Sequence, residues 1–225
     1  MSKNSYVKQV SLAGLFCATA YLFVFILRIN VSFLTFDIKS SVIAVGALLL
    51  GPLWGVLMAA MVSFLEFVTV SSTGVYGLIM NFLANAVFAF VVSLIYKYRK
   101  KLSGAIIGLV FAIVSVTVVM LLANLLITPY YTGMPVKAIV EMILPLLLPF
   151  NAIKYTINAA VVLLVYKPLS HALKSVNLIS TRHDEHKYKL EYKTVIIIIV
   201  SVLIIIAAVW LLLVSMQGSV EWIAK

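Results

Sequence analysis

The chain has 225 residues, 64% of them hydrophobic and only 11% charged, and its mean hydropathy is +1.17. Soluble globular domains carry about 25% charged residues, so this composition indicates a membrane protein. The formal net charge of +10 does not indicate nucleic-acid binding, because so apolar a chain has too little polar surface for a groove-reading face. A lone cysteine, Cys17, and three histidines confined to residues 171–186 exclude an internal disulfide and a metal centre.

Apolar segments long enough to form helices follow one another along the chain. A bilayer core about 30 Å thick needs roughly 20 apolar residues per helix. By this criterion we predict spans at 10–27, 53–70, 75–96, 104–128, 150–166 and 194–215. The block 41–50 is short for a span, and Gly51-Pro52 leads it into the next helix because proline fits a first helical turn. Residues 135–148 predict a short packed or interfacial helix. We expect Pro129 and Lys167-Pro168 to end the spans that precede them.

Basic residues set the predicted orientation, because cytoplasmic loops retain lysine and arginine. With the N-terminus inside and the short block 41–50 counted as one of seven spans, twelve of the 17 basic residues fall on the cytoplasmic side. The other five, on or near the outer side, are Arg28, Lys39, Lys137, Lys154 and Lys225. A cleaved signal peptide at 1–20 is the competing interpretation, and the unbroken apolar run to Leu27 argues against it.

Polar side chains at membrane depth are informative, because each must be paired, hydrated or functional. In the predicted topology they gather toward the outer ends of the spans, and the inner halves carry almost nothing comparable. The outer set is Asp37, Lys39, Glu66, Ser71, Ser72, Thr73, Asn81, Asn85, Asn124, Asn151 and Lys154. This asymmetry predicts an outward-facing polar pocket. The alternatives are that the asparagines only join helices, that Lys154 snorkels to the headgroups, and that Glu66 pairs structurally with a lysine.

Aromatic residues lie at the same outer rim, namely Phe36, Tyr76, Tyr130 and Tyr131. A belt of interfacial aromatics is the ordinary explanation. Combined with amides and hydroxyls, the rings also suit a flat heteroaromatic solute, stacked on the rings and bound at its edge by asparagines. A polyol tail on the solute would suit the serine and threonine hydroxyls and Asp37.

The first span contains a stripe of small residues from Gly14 to Ala18, with Ala13 and Cys17 offset by one position. Small side chains let another helix approach closely, since lipid offers no hydrophobic drive for association. That neighbour is either another helix of this chain or a partner subunit.

The chain carries no sign of an energy source of its own. It has no P-loop motif, and no series of carboxylates crosses the predicted bilayer centre. A pocket open to one side without a motor suggests a capture subunit that depends on partners. A stand-alone secondary carrier or channel is the alternative. The sequence shows no paired nucleophile and general base of the kind that would indicate an enzyme.

Five motifs occur in order between residues 8 and 170: the small-residue stripe, Phe-Leu-Thr-Phe-Asp-Ile-Lys at 33–39, Gly-Pro-Leu-Trp-Gly at 51–55, Ser-Thr-Gly at 72–74 followed by Gly-Leu-Ile-Met-Asn-Phe at 77–82, and Pro-Phe-Asn-Ala-Ile-Lys at 149–154. With these motifs the chain resembles the substrate-binding S component of energy-coupling factor (ECF) transporters, and among them the riboflavin-specific one. The motif at 149–154 is the most diagnostic of riboflavin, and an S component for another vitamin is the alternative within this family.

The resemblance implies an all-α membrane protein with a six-helix core over residues 1–170 in a bacterial cell membrane. Riboflavin, the transported ligand and not a cofactor, would bind near the outer face beneath the loop between the first two helices. Release would follow when the subunit tilts on a complex of one transmembrane coupling subunit and two ATPases. The six-helix pattern does not account for a basic cytoplasmic linker at 171–193, or for the seventh helix and outer tail at 194–225.

The resemblance also implies roles for individual residues. Asn124, Asn151 and Lys154 would contact the edge of the isoalloxazine ring, and Thr35, Asp37, Thr73 and Gly74 the ring or the ribityl chain. Phe36 and Asn81 complete the candidate substrate-binding set. Gly14 and Ala18, with Cys17 beside them, would meet the coupling subunit, although the family's usual Ala-xxx-Ala begins here with glycine.

Overall fold

The computed structural model describes residues 3–31, 33–175, 196, 199–201, 203–204, 206–207 and 220–221. Helices dominate this part of the chain, and a small antiparallel sheet lies at one end of the bundle. In chain order the elements are α1 Lys3–Ile26, β1 Ile29–Val31, β2 Leu34–Phe36, α2 Lys39–Leu50, α3 Pro52–Thr69, α4 Gly74–Tyr98, α5 Leu102–Thr132, α6 Val136–Glu141, a π-helix Ile143–Leu147, α7 Leu148–Ser175 and β3 Val220–Glu221.

Several of these helices have the length and composition of membrane spans. Within the described residues there are five, at Tyr6–Ile26, Pro52–Thr69, Gly74–Tyr98, Leu102–Thr132 and Ile143–Leu173. Large apolar side chains cover their outward faces, as at Leu53 and Leu126, which are 74% and 70% exposed. Contiguous exposed apolar surface of this kind marks contact with lipid. The predicted α-helical membrane fold is confirmed.

The prediction for the last quarter of the chain is covered only in part. The expected linker at 171–193 lies outside the described residues beyond Ser175. Most of the predicted seventh span at 194–215 also lies outside them, and the residues of it that are described are helical.

The short helix α2 determines where a cavity can form. Its 12 residues rise only about 18 Å, less than the bilayer core of about 30 Å. It turns into α3 at Gly51, which has a φ of 113°, and Pro52 occupies the first helical turn as predicted. Helices α1, α3, α4 and α7 surround α2. Because α2 reaches the end of the bundle where it joins α3, its missing length leaves space at the other end.

A β-hairpin made of β1 and β2 covers that space, and we call this side the hairpin end of the bundle. Ile29 pairs with Phe36 and Val31 with Leu34. Leu34 and Phe36 are buried in a second apolar cluster with Ile139, Leu147, Phe150 and Ile157. The sequence predicted only a loop here, because strands of three residues are too short to show a period-two pattern.

A third strand, β3, pairs antiparallel with the other edge of β1. Residues 220–221 of the C-terminal segment therefore lie at the hairpin end, whereas α7 ends at the opposite end of the bundle.

Two prolines do not end their helices, contrary to the prediction. Pro129 lies inside α5, which continues to Thr132, and Pro168 lies inside α7, which continues to Ser175. A proline removes only one helical hydrogen bond, and in the last turn of α5 that loss is small. The actual end of α5 is Gly133, whose left-handed φ of 70° lets its N–H bond back to the Pro129 carbonyl at 3.0 Å.

The predicted short helix at 135–148 is two pieces that run into α7. The helix α6 ends at Glu141, and the π-helix follows, where the Leu147 N–H donates to the Met142 carbonyl five residues earlier at 2.9 Å. Each hydrogen bond of a π-helix spans one residue more than that of an α-helix, and such turns are frequent at functional sites.

Candidate substrate-binding site

A polar cavity of about 180 Å³ lies under the hairpin. Its walls come from the connection between α1 and β1, the hairpin, the α3–α4 turn, and the hairpin-end halves of α4, α5 and α7. The lining residues are Arg28, Phe33, Leu34, Thr35, Glu66, Ser71, Ser72, Thr73, Gly77, Met80, Asn81, Ala84, Met120, Tyr131, Phe150, Asn151, Lys154 and Tyr155. The cavity occupies the space that the short helix α2 leaves free.

Four charged side chains form a network at the base of the hairpin. Asp37 Oδ2 lies 3.2 Å from Lys39 Nζ and 3.2 Å from Lys154 Nζ. Lys39 Nζ also donates to Glu66 Oε2 at 2.6 Å. All four residues are at most 7% exposed. Two cations balance two anions, which matters because an uncompensated buried charge is strongly destabilising.

The network decides two of the sequence alternatives. Glu66 does pair with a lysine, Lys39, and it lines the cavity as well. Lys154 does not snorkel, because its ammonium donates to the Thr35 carbonyl at 2.7 Å and to Asp37. The hairpin is thereby fastened to α7 by a charge-assisted bond.

Asp37 lies in the connection between β2 and α2. Burial by itself raises the pKa of its carboxyl, but the ammonium groups of Lys154 and Lys39 and the hydrogen bonds they donate outweigh burial and hold the pKa below its usual range. Asp37 is therefore ionised at neutral pH and keeps both lysines paired.

Two asparagines present complementary groups to the cavity. Asn151 donates its amide N–H to the Leu147 carbonyl at 2.7 Å, and Asn81 accepts a hydrogen bond from Lys39 through its Oδ1 at 3.1 Å. Within the described residues, the Oδ1 of Asn151 and the Nδ2 of Asn81 have no partner. The cavity thus offers one free amide acceptor and one free amide donor.

Aromatic rings complete the walls. Tyr131, Phe150 and Tyr155 line the cavity, and Lys154 Nζ lies 5.9 Å from the centre of the Tyr155 ring. Of the aromatics that the sequence placed at the rim, Tyr76 and Tyr130 stack on each other outside the cavity, with ring centres 6.2 Å apart.

The structure brings together part of the predicted substrate-binding set. Thr35, Thr73, Asn81, Asn151 and Lys154 line the cavity. Asp37 is not a lining residue but forms an ion pair with Lys154, whereas Phe36 is buried in the apolar cluster behind the hairpin. Gly74 begins α4 and is not among the lining residues.

Asn124 is a separate case, because its amide is already satisfied inside its own helix. It donates to the Met120 carbonyl at 2.7 Å and accepts from Thr128 Oγ1 at 2.9 Å, with no exposed surface. The alternative that asparagines only join helices describes Asn85 of α4 and Asn158 of α7 instead, because they accept hydrogen bonds from Ser40 and Ser41 of α2.

Sequence reasoning missed Arg28, which it treated only as a marker of topology, and it placed Lys39 in the outer polar set without assigning it to the binding residues. It also missed the apolar and aromatic side chains that depend on which helix face turns inward, such as Met80, Phe150 and Tyr155. A signal for Lys39 was present, because a lysine beside an apolar helix start needs a buried acidic partner or water.

The small-residue stripe of α1 divides between two faces. Gly14 and Ala18 are exposed, and a Cβ added at Gly14 would meet nothing within 4 Å. Cys17 is 8% exposed and its thiol faces the Met58 carbonyl at 4.0 Å, inside the main core. Among the small residues of this stripe, Gly14 and Ala18 thus lie on the exposed face of α1, and Ala13 and Cys17 on the buried one.

A helical membrane bundle with a polar, aromatic-walled cavity at one end has the form of a membrane-embedded binding protein. The family model "ECF transporter, substrate-specific component" matches residues 8–166, and the chain belongs to this family. Its members are substrate-binding membrane subunits, not enzymes, and they work with ECF membrane and ATPase subunits.

A solved structure described as "Structure and mechanism of the S component of a bacterial ECF transporter" is similar to this chain. The TM-score is 0.65 and the sequence identity 26%, over 75% of this chain and 99% of that chain. No curated protein sequence matches this chain.

Proposed function

We propose that this chain binds riboflavin in the cavity beneath the hairpin and delivers it for ATP-driven uptake by an ECF transporter. The observation that supports riboflavin is the division of the cavity into two chemical halves. The α7 side carries an amide, an ammonium and aromatic rings, and the α3–α4 turn carries three hydroxyls. Riboflavin has the same division between a flat ring system and a polyol chain.

The α7 side suits the isoalloxazine ring. One edge of this ring carries an N–H between two carbonyls. The free Oδ1 of Asn151 can accept from that N–H, while Lys154 and the free Nδ2 of Asn81 can donate to the carbonyls. Tyr131 and Phe150 supply apolar faces for the ring.

The α3–α4 turn suits the ribityl chain. Ser71, Ser72 and Thr73 lie in succession at the cavity, and Thr35 faces it from the hairpin. Hydroxyl groups can both donate and accept, so they can bind successive ribityl hydroxyls whichever way these are turned.

We also propose that the hairpin end faces the outside and the N-terminus the cytoplasm. Between residues 3 and 175, eight basic residues lie at the opposite end of the bundle and four at the hairpin end. Two of those four, Lys39 and Lys154, are buried in ion pairs. Positive charge that is free to mark topology is thus concentrated at one end. Residues 1–170 would form the transport core, and Gly14 and Ala18 would contact the coupling subunit.

Fluorescence tests the ligand directly. Free riboflavin fluoresces, so titrating it with the purified full-length protein in detergent should quench the emission to a saturable limit, and excess biotin or thiamine should not restore it. Absence of quenching contradicts the riboflavin assignment. Quenching that another vitamin reverses favours an S component of different specificity.

Transport distinguishes the capture subunit from a stand-alone carrier. Vesicles with this chain alone should not accumulate riboflavin, whereas vesicles that also contain the ECF membrane and ATPase subunits should do so when ATP is supplied. Accumulation by the chain alone contradicts dependence on partners.

A further inference from the structure

Arg28 lines the cavity without a charged partner. It lies between α1 and β1, at the hairpin end. Its Nη1 donates to the Val70 carbonyl at 3.4 Å, at the limit of hydrogen-bond length, and its buried Nε has no partner. Among the described residues, no carboxylate forms an ion pair with it.

The charges around Arg28 are already balanced without it. Lys39 and Lys154 are paired with Asp37 and Glu66, so the two anions near the cavity are engaged. Arg28 is therefore the surplus cation of this group. Because a partly buried guanidinium with unmet N–H groups is costly, an acceptor on a ligand would stabilise it.

The contact with Val70 fixes which half of the cavity Arg28 serves. Val70 immediately precedes Ser71, Ser72 and Thr73, the three hydroxyl residues of the α3–α4 turn. Arg28 thus lies on the hydroxyl side, whereas Asn151 and Lys154 approach from α7.

We propose that Arg28 is a substrate-contacting residue that determines specificity for the tail of the ligand. Its guanidinium donates charge-assisted hydrogen bonds to oxygen atoms of the ribityl chain, next to the hydroxyls of the α3–α4 turn. This assignment rests on the proposed riboflavin function, and it distinguishes Arg28 from the residues that bind the ring.

Lumiflavin, which has the same ring with a methyl group in place of the ribityl chain, separates the two halves of the cavity. We expect R28M to weaken riboflavin binding by about 10- to 100-fold in the fluorescence titration, the effect of losing hydrogen bonds from a charged donor. Lumiflavin affinity should change by less than about twofold. The matched control K137M removes a cation from the exposed surface of α6 at the same end and should change neither affinity.

Circular dichroism and gel filtration would reveal misfolding of R28M. A second, more conservative variant keeps the proposal testable in that case. R28K keeps the charge but not the planar fork of donors, so it should weaken riboflavin less than R28M does and leave lumiflavin unchanged. Equal weakening of both ligands, or unchanged riboflavin affinity, overturns the role of Arg28. Failure of the wild-type protein to bind riboflavin instead contradicts the proposed function, and this inference with it.

Discussion

Lys154 is a hydrogen-bond donor at the cavity whose position other contacts already fix. Its ammonium is bonded to the Thr35 carbonyl and to Asp37, and only 7% of the residue is exposed. A side chain fixed before the ligand arrives loses little rotational freedom on binding, which favours affinity. The hairpin and α7 thus position one of the proposed ring contacts together.

Replacing this side chain tests that contact. Lys154→Ala should weaken riboflavin binding by about 10-fold or more while the protein still inserts into the membrane, since a hydrogen bond from a charged donor is lost. Asp37 keeps Lys39 as a partner, so the fold should survive. Unchanged riboflavin affinity in the same titration would remove Lys154 from the site, and Lys137→Ala serves as a surface control.

Low pH should weaken the ion-pair network by protonating Asp37. Its pKa in the folded protein lies below the unfolded value of about 3.9. Its stabilising contribution is therefore complete above the unfolded pKa and is lost as the pH falls through the folded one. Asp37→Asn should lower the melting temperature by a constant amount between about pH 8 and pH 5, and this difference should shrink below about pH 4.

Thermal unfolding followed by circular dichroism in detergent measures both proteins across that range. Other carboxyl groups titrate in wild type and variant alike and largely cancel in the difference. A difference that grows toward acid pH would contradict the ion-paired state of Asp37.

At the residue scale, the sequence showed which polar side chains are informative better than it showed their hydrogen-bond partners. Asn151 and Lys154 stand out because amides and charges are rare at membrane depth. The sequence did not reveal that Asn124 bonds within α5, since that depends on a side-chain rotamer. Arg28 was not singled out as a lining residue, because a basic residue at a helix end has the same appearance whether it marks topology or lines a cavity.

Helices α4 and α5 form a closely packed pair in the bundle. A Cβ added at Gly108 of α5 would lie 2.9 Å from the Val92 carbonyl oxygen and 3.3 Å from its Cα, both on the backbone of α4. The backbone of α4 cannot rotate aside as a side chain would. Glycine at 108 therefore sets the distance between the two helices.

Two glycine substitutions make a matched test of this packing. Gly108→Ala should lower the free energy of unfolding by about 1–3 kcal/mol, because it overpacks the contact with Val92. Gly14→Ala, where nothing lies within 4 Å, should leave stability unchanged or raise it by up to about 1 kcal/mol through helix propensity. Equal effects at both positions in denaturant unfolding would contradict the close approach.

At the scale of elements, hydrophobic length predicted the helices and misjudged some of their ends. The prediction of 53–70 is close to α3 at Pro52–Thr69, because the polar turn at 71–74 is distinct. The prediction that Pro129 and Pro168 end their helices is wrong, because a helix whose neighbours hold it in place tolerates one missing hydrogen bond. The hairpin went unpredicted because its strands are stabilised by burial of Leu34 and Phe36 against α6 and α7, which are distant in sequence.

The proposed orientation of the whole molecule can be read by chemical labelling. In a Cys17→Ala background, Lys137→Cys lies on the exposed surface at the hairpin end and Lys100→Cys at the opposite end. A membrane-impermeant maleimide should label position 137 in intact cells and position 100 only after permeabilisation, because free positive charge marks the cytoplasmic side. The reverse pattern would contradict the proposed orientation.

The π-helix before α7 lets α7 turn one face to the cavity while α6 packs under the hairpin, which one continuous α-helix could not combine in the same phase. Its extra residue offsets the helical phase of Asn151 and Lys154 from that of α6 by about 100°, the angle one residue contributes. A deletion of one residue there would force either the cavity-lining face of α7 or the packing of α6 under the hairpin out of phase. The length of this single turn, and not only the identity of its side chains, therefore selects which chemical groups the cavity presents.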